Sequence, residues 1–118
     1  MSMRIEEYDF GRIVVDGKEY TRDLIIFPDK VKANWWRKEG HLLLKEDIED
    51  VVEGEDKPEV LIIGTGMYGA MEVPEETREY IRSKGIEIVV ERTKRACEIF
   101  NEMMMKRRKV VAALHLTC

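Results

Sequence analysis

The sequence predicts one layered α/β domain over residues 1–118, with an N-terminal β-hairpin in a β-rich first half and a β-α-β-α-β second half. Two observations predict it. Asp16-Gly17 lies between Arg12-Ile13-Val14-Val15 and Lys18-Glu19-Tyr20-Thr21, and a two-residue Asp-Gly connection between β-prone runs is the strongest short hairpin signal. From Pro58 onward, continuous apolar runs alternate with segments of helical period, the pattern of buried parallel strands joined by helical crossovers.

The elements follow in order. Leu24-Ile25-Ile26-Phe27 reads as a strand that stops at Pro28-Asp29, and residues 29–44 follow neither period, so they are expected to be irregular or partly strand. Lys45 to Val52 suits a short helix with Leu44, Ile48, Val51 and Val52 on one face, closed by Glu53-Gly54. Val60-Leu61-Ile62-Ile63 is a strand buried on both faces that enters Gly64-Thr65-Gly66. Pro74 suits the first helical position, Glu75 and Glu76 the positive dipole end, and Lys84-Gly85 the close of that helix. Ile86 to Val90 is the next strand. Thr93 opens a longer helix to about Arg108, with Ala96, Ile99, Phe100, Met103 and Met104 at amphipathic spacing. Lys106 to Lys109 would complement its dipole, with Met105 left exposed. Val110 to Leu116 is the last strand, and Ala112-Ala113 suits a central place beneath a helix. The parallel crossovers should be right-handed.

Composition narrows the function. The 118 residues are 44% hydrophobic with a net charge of −4, and no apolar run approaches the roughly 18 residues of a membrane-spanning helix. Charges of both signs are interspersed, without the basic excess that a nucleic-acid backbone demands. Met1 to Glu7 has no apolar core of a signal peptide, and Cys97 and Cys118 form neither a disulfide framework nor metal-ligand spacing. The expected setting is a reducing cytoplasm. The chain lacks Gln, has only Asn34 and Asn101, and is rich in Glu, Lys and Arg, a composition associated with thermophilic sources.

Gly64-Thr65-Gly66-Met67-Tyr68-Gly69 is a literal G-x-G-x-x-G after a strand. A dinucleotide fingerprint needs a helix to begin within that turn, so that its N-terminus meets the pyrophosphate. Here Ala70 to Val73 intervene before Pro74. Two readings remain for the loop: a glycine turn, or a small-anion site in which Thr65 and free backbone amides supply the donors. Met67, Tyr68 and Met71 either fold onto the core or line a contact surface. Trp35 and Trp36 are adjacent, so an extended segment cannot turn both inward, and one should lie in a groove or interface. His41 is the better histidine candidate for chemistry, because His115 lies within an apolar strand. Asn101 is expected to hydrogen-bond within the fold in preference to holding a ligand. No nucleophile-base pair, catalytic residue, metal site or cofactor site is assigned.

Trp36 with Gly40-His41, Ile63-Gly64-Thr65-Gly66, Thr93 with Ala96, Phe100-Asn101, and Arg108 before Val110-Val111-Ala112-Ala113 together resemble a small domain-of-unknown-function family first described from a methanogenic archaeon. That family includes mitochondrial complex I assembly factor 3 and an adipogenesis-associated protein. The resemblance spans residues 5–115. It implies a three-layer α/β domain with a central mixed sheet in which one strand runs antiparallel to the others. It also implies roles in assembly and regulation without established catalysis. The favoured expectation is a binding or assembly module with a protein partner, with Gly64, Thr65, Gly66, Met67, Tyr68, Trp36, His41 and Asn101 as candidate binding residues. The alternative is an enzyme that binds a small anion or nucleotide at the Gly-Thr-Gly loop.

Overall fold

The computed structural model describes residues 3–118. The elements are β1 (Ile5–Asp9), β2 (Arg12–Val15), β3 (Lys18–Tyr20), β4 (Leu24–Ile26), β5 (Val31–Lys32), α1 (Lys45–Val52), β6 (Val60–Thr65), α2 (Glu75–Ser83), β7 (Glu87–Glu91), α3 (Thr93–Met105) and β8 (Val110–His115).

β1, β2 and β3 form an antiparallel sheet. Asp16 and Gly17, between β2 and β3, have φ of 49° and 79°. Positive φ at both positions is type I′ geometry, whose twist matches that of the flanking strands. β1 is a strand that the sequence pattern does not announce, because Ile5-Glu6-Glu7-Tyr8-Asp9 buries only Ile5 fully. It is fixed from outside: Asn101 of α3 accepts from the Ile5 N–H at 2.9 Å and donates to the Ile5 carbonyl at 2.8 Å.

The second sheet has the order β5-β4-β8-β6-β7. β8, β6 and β7 are parallel, β4 is antiparallel to β8, and β5 is antiparallel to β4. Alternation along the strands builds two cores. Leu24, Ile26, Val60, Ile62, Val110, Ala112 and Leu114 join Ile5, Ile13, Val15, Ala96 and Phe100 on one face. On the other face, Ile25, Leu61, Ile63, Val111 and Ala113 join Ile48, Val51, Val52 and Ile81. The layers are therefore the small sheet with α3, the mixed sheet, and α1 with α2. β8 takes the central place that Ala112-Ala113 suggests.

Several boundaries differ from the sequence reading. Phe27 leaves β4, and its N–H donates to the Lys30 carbonyl at 2.8 Å across the turn to β5. Pro74 is the N-cap, extended at ψ 153°, so α2 starts at Glu75. α3 ends at Met105, and Arg107 reverses the chain with φ of 58°. The cations from Lys106 to Lys109 thus lie beyond the helix. Arg108 and Lys109 pair with Glu59 and Asp56 across the approach to β6.

Ile62 and Val111 lie in opposite cores of the mixed sheet and are almost completely buried. Ile62→Asp or Val111→Asp should leave no folded population by circular dichroism at 25 °C, since an unpaired buried charge costs several kcal/mol against a total stability of about 5 to 15 kcal/mol.

Candidate functional site

Because β6, β7 and β8 are parallel, Thr65, Glu91 and His115 end at one edge of the sheet. In open α/β sheets this carboxyl edge is where ligands bind. Here a single threonine ties it together. The Gly66 N–H donates to Thr93 Oγ1 at 2.8 Å, the Thr93 hydroxyl donates to the His115 carbonyl at 2.6 Å, and the Thr93 N–H donates to the Gly66 carbonyl at 3.1 Å. The start of α3 is thereby drawn against both strand ends, and the Gly-Thr-Gly glycines make room for it. A Cβ on Gly64 would lie 2.8 Å from the Thr93 hydroxyl and from Leu114. Gly66 has φ of 104°, and a Cβ there would lie 2.3 Å from the Cys118 carbonyl carbon. Both glycines are required by packing, and no helix begins in their turn.

The amides of this loop are occupied. Met67 N–H donates to the Thr117 carbonyl at 2.7 Å, Tyr68 and Ala70 donate to the Cys118 carbonyl at 3.3 and 2.9 Å, Gly69 donates to Gly66 at 3.3 Å, and Met71 donates to Thr65 at 3.1 Å. Of the two readings of this loop, the small-anion site needs free donors, and the segment after β8 takes their place; the geometry is that of the glycine turn. Thr65 is buried, and its hydroxyl donates to the Glu91 carbonyl at 3.2 Å. It braces two strand ends and does not face solvent.

Beside the loop lies a buried polar cluster whose members the sequence reading does not assign to a site. Asp23, just before β4, meets Arg37 from the irregular segment and His115 from the end of β8. Arg37 Nη2 lies 2.8 Å from Asp23 Oδ2 and 2.9 Å from the Gly40 carbonyl, while His115 Nδ1 lies 2.8 Å from the same Asp23 oxygen. Asp23 Oδ1 accepts the Leu116 N–H at 2.8 Å. Nη2 has two hydrogens, which go to Asp23 and Gly40, and the carboxylate can only accept. The proton on His115 is therefore assigned to Nδ1, and the 3.1 Å approach of Nη2 to that nitrogen is a close contact and not a donated bond. Burial pushes the Asp23 carboxyl up. The His115 and Leu116 hydrogen bonds, with the electrostatic attraction of His115 and Arg37, outweigh that effect and hold it below its ordinary value.

Arg37 is only 8% exposed, and its Nε and Nη1 have no hydrogen-bond partner among the described residues. Its guanidinium carbon sits 4.6 Å from the Trp35 ring centre, a cation-π contact that offsets part of the desolvation. Trp35 is held in turn by its indole N–H, which donates to the Asp47 carbonyl of α1 at 2.9 Å. Arg37, Asp23 and His115 carry a readable signal: a titratable group beside or within an apolar run must find a partner when the run is buried.

The two tryptophans divide as expected. Trp35 is 5% exposed, whereas Trp36 is 78% exposed and stands between a groove of 480 Å³ toward Asp23 and Thr117 and one of 440 Å³ toward α1. Tyr68 is 65% exposed, its ring 6.1 Å from that of Phe10 in the β1–β2 turn, and Met71 is buried. His41 is exposed, with its ring edge-on to His115 at 5.6 Å, so the two histidines are neighbours. Asn101 is not brought to this edge, because both its hydrogen bonds go to Ile5. A larger groove of 610 Å³ beside β5 is lined by exposed charges such as Lys30, Asp29 and Glu55 and holds no buried polar cluster.

A family model for a protein of unknown function, DUF498/DUF598, matches residues 5–115. Among solved structures, the chain is similar to the conserved hypothetical protein PH1505 from Pyrococcus horikoshii OT3, with 28% identity, a TM-score of 0.80, and 98% of this chain and 99% of that one covered. It is similar to a structure described as an outer membrane protein from Bartonella henselae, with 28% identity, a TM-score of 0.84, and coverage of 99% and 97%. A third, MT938, shares 29% identity with a TM-score of 0.80 over 99% of this chain and 100% of that one.

Removing one partner of the buried cluster should expose its role. Asp23→Asn leaves Arg37 buried without its counter-charge and should cost about 3 to 5 kcal/mol in denaturant unfolding. The native Asp23 pKa is depressed, so its contribution is fully present above the unfolded carboxylate pKa of about 3.9 and is lost as pH falls through the folded value. The acid limb of stability against pH should accordingly be shallower in Asp23→Asn than in the native protein.

Proposed function

The chain belongs to the DUF498/DUF598 family, and on that premise we propose that it is a non-catalytic binding module that docks a protein partner against the aromatic carboxyl edge of its mixed sheet. One observation carries this reading: the loop amides that would hold an anion are spent on Thr117, Cys118, Gly66 and Thr65, while Tyr68 of the loop and Trp36, which shares a groove with Thr117, are exposed. Large aromatic side chains on a rigid base are the usual anchors of protein interfaces. Trp36 rests on such a base, since Trp35 and Arg37 on either side are buried.

The resemblance to assembly-factor members supports an assembly role for the docked complex. A reducing cytoplasm agrees with Cys97 and Cys118 being free thiols. No helix among the described residues is long and apolar enough to cross a membrane. A thermophilic source fits the many surface ion pairs, such as Arg12 with Glu7 and Glu19 and Arg95 with Glu98 and Glu102.

The test compares the native protein with a Trp36→Ala, Tyr68→Ala double variant as immobilised bait, after thermal melts show that the two are equally stable. The double variant should lose a protein that the native bait retains, and an unchanged set of captured proteins would sink the reading. In parallel, thermal melts with phosphate, nucleotides and dinucleotides should show no shift. A ligand present at 100 times its Kd adds about 2.7 kcal/mol, and a saturable rise of that kind would favour the anion-binding enzyme.

A further inference from the structure

We infer that β7 is an open sheet edge that accepts an extended cationic peptide segment as an additional strand. β7 closes the order β5-β4-β8-β6-β7 and, among the described residues, pairs only with β6. The direction of its main-chain groups follows from two contacts. The Glu87 N–H donates to the Glu59 carbonyl at 3.0 Å, and the Glu91 carbonyl accepts the Thr65 hydroxyl at 3.2 Å, so both residues turn their main-chain groups toward β6. These groups alternate sides along a strand. Val89 therefore also faces β6, and the N–H and C=O groups of Ile88 and Val90 face outward. Among the described residues no turn, loop or side-chain hydrogen bond reaches those four groups.

The other strand edges are blunted. β5 has two residues, one of them Lys32, and β3 is Lys18-Glu19-Tyr20. β1 carries Glu6, Glu7 and Asp9. β7 alone among these edges carries three consecutive apolar residues, Ile88, Val89 and Val90, all half-buried. Such an edge is a template for strand addition.

Charge selects the occupant. In an antiparallel pairing Ile88 and Val90 take the hydrogen-bonded positions, so Glu87 and Glu91 take the non-hydrogen-bonded ones, where facing side chains approach most closely. Both glutamates are exposed; among the described residues Glu87 has only a 3.9 Å contact to Arg108, and Glu91 has no ion pair. A second copy is disfavoured, because Glu87-Ile88-Val89-Val90-Glu91 pairing with itself about Val89 would set each Glu87 against a Glu91. The complementary strand carries Lys or Arg at two positions four apart, with β-branched residues between them.

The probes are acetyl-Thr-Lys-Val-Thr-Val-Lys-Thr-amide and the same peptide with Glu in place of both Lys. In a 15N NMR titration of the full chain, the Lys peptide should shift the Ile88 and Val90 amides and slow their hydrogen exchange about tenfold at saturation, while the Glu peptide leaves both unchanged. A Glu87→Lys, Glu91→Lys double variant, checked for native circular dichroism, should reverse the preference. The Trp36→Ala, Tyr68→Ala variant should bind the Lys peptide as the native protein does, which separates this edge from the aromatic one. The proposal is overturned by equal binding of the two peptides, by no response at Ile88 and Val90, or by protection that grows with protein concentration without peptide, the mark of self-pairing.

Discussion

The Asp23 carboxylate is the interaction on which the carboxyl edge depends. One oxygen receives both Arg37 and His115, and the other receives the Leu116 amide. Three stretches of chain far apart in sequence thus meet on one group: the entrance to β4, the irregular segment, and the exit of β8. Arg37 passes the constraint to the Gly40 carbonyl and to the face of Trp35. Trp35 passes it to α1 through Asp47. Such a pair contributes little compared with a well-packed apolar alternative, yet it is costly to break on one side. Its effect is therefore to fix a unique arrangement, with Trp35 inward and Trp36 outward.

The same edge shows how a site common to α/β sheets can be closed from within. A turn after a parallel strand leaves amides pointing away from the sheet, and glycines expose them by omitting Cβ. Here Thr117 and Cys118 run through that turn and accept its hydrogen bonds. Gly66 is required because the chain itself passes at the place of a Cβ, not because a phosphate does. Backbone donors are thereby removed from recognition, and the exposed aromatic rings of Trp36, Tyr68 and Phe10 remain.

The surface charges divide by environment. Exposed pairs such as Lys32 with Asp50 or Lys45 with Glu76 are screened and individually worth at most about 1 kcal/mol. Arg37 with Asp23 lies where water screens it little, so removing one partner alone there costs more than removing one partner of an exposed pair. The glutamates flanking β7 act differently again, discouraging self-association at an apolar edge while leaving it open to a strand of opposite charge.

The sequence by itself determined the elements whose cause is local. The Asp16-Gly17 hairpin follows from two residues that tolerate positive φ. β6, β7, β8 and the three helices follow from the period of their apolar residues, and alternation requires one tryptophan inward and one outward without saying which. The end of α3 lay beyond such reasoning, because Arg107 turns left-handed where Arg108 and Lys109 reach Glu59 and Asp56, distant in the chain. β1 did too, since Asn101 and not its own pattern fixes it. The polar centre of the candidate site was decided only by the tertiary structure. Asp23, Arg37 and His115 acquire their role by juxtaposition across the fold, and no local period records which buried charge will meet which. The loop amides were likewise filled by residues that only the packing of β8 beside β6 brings within hydrogen-bond reach.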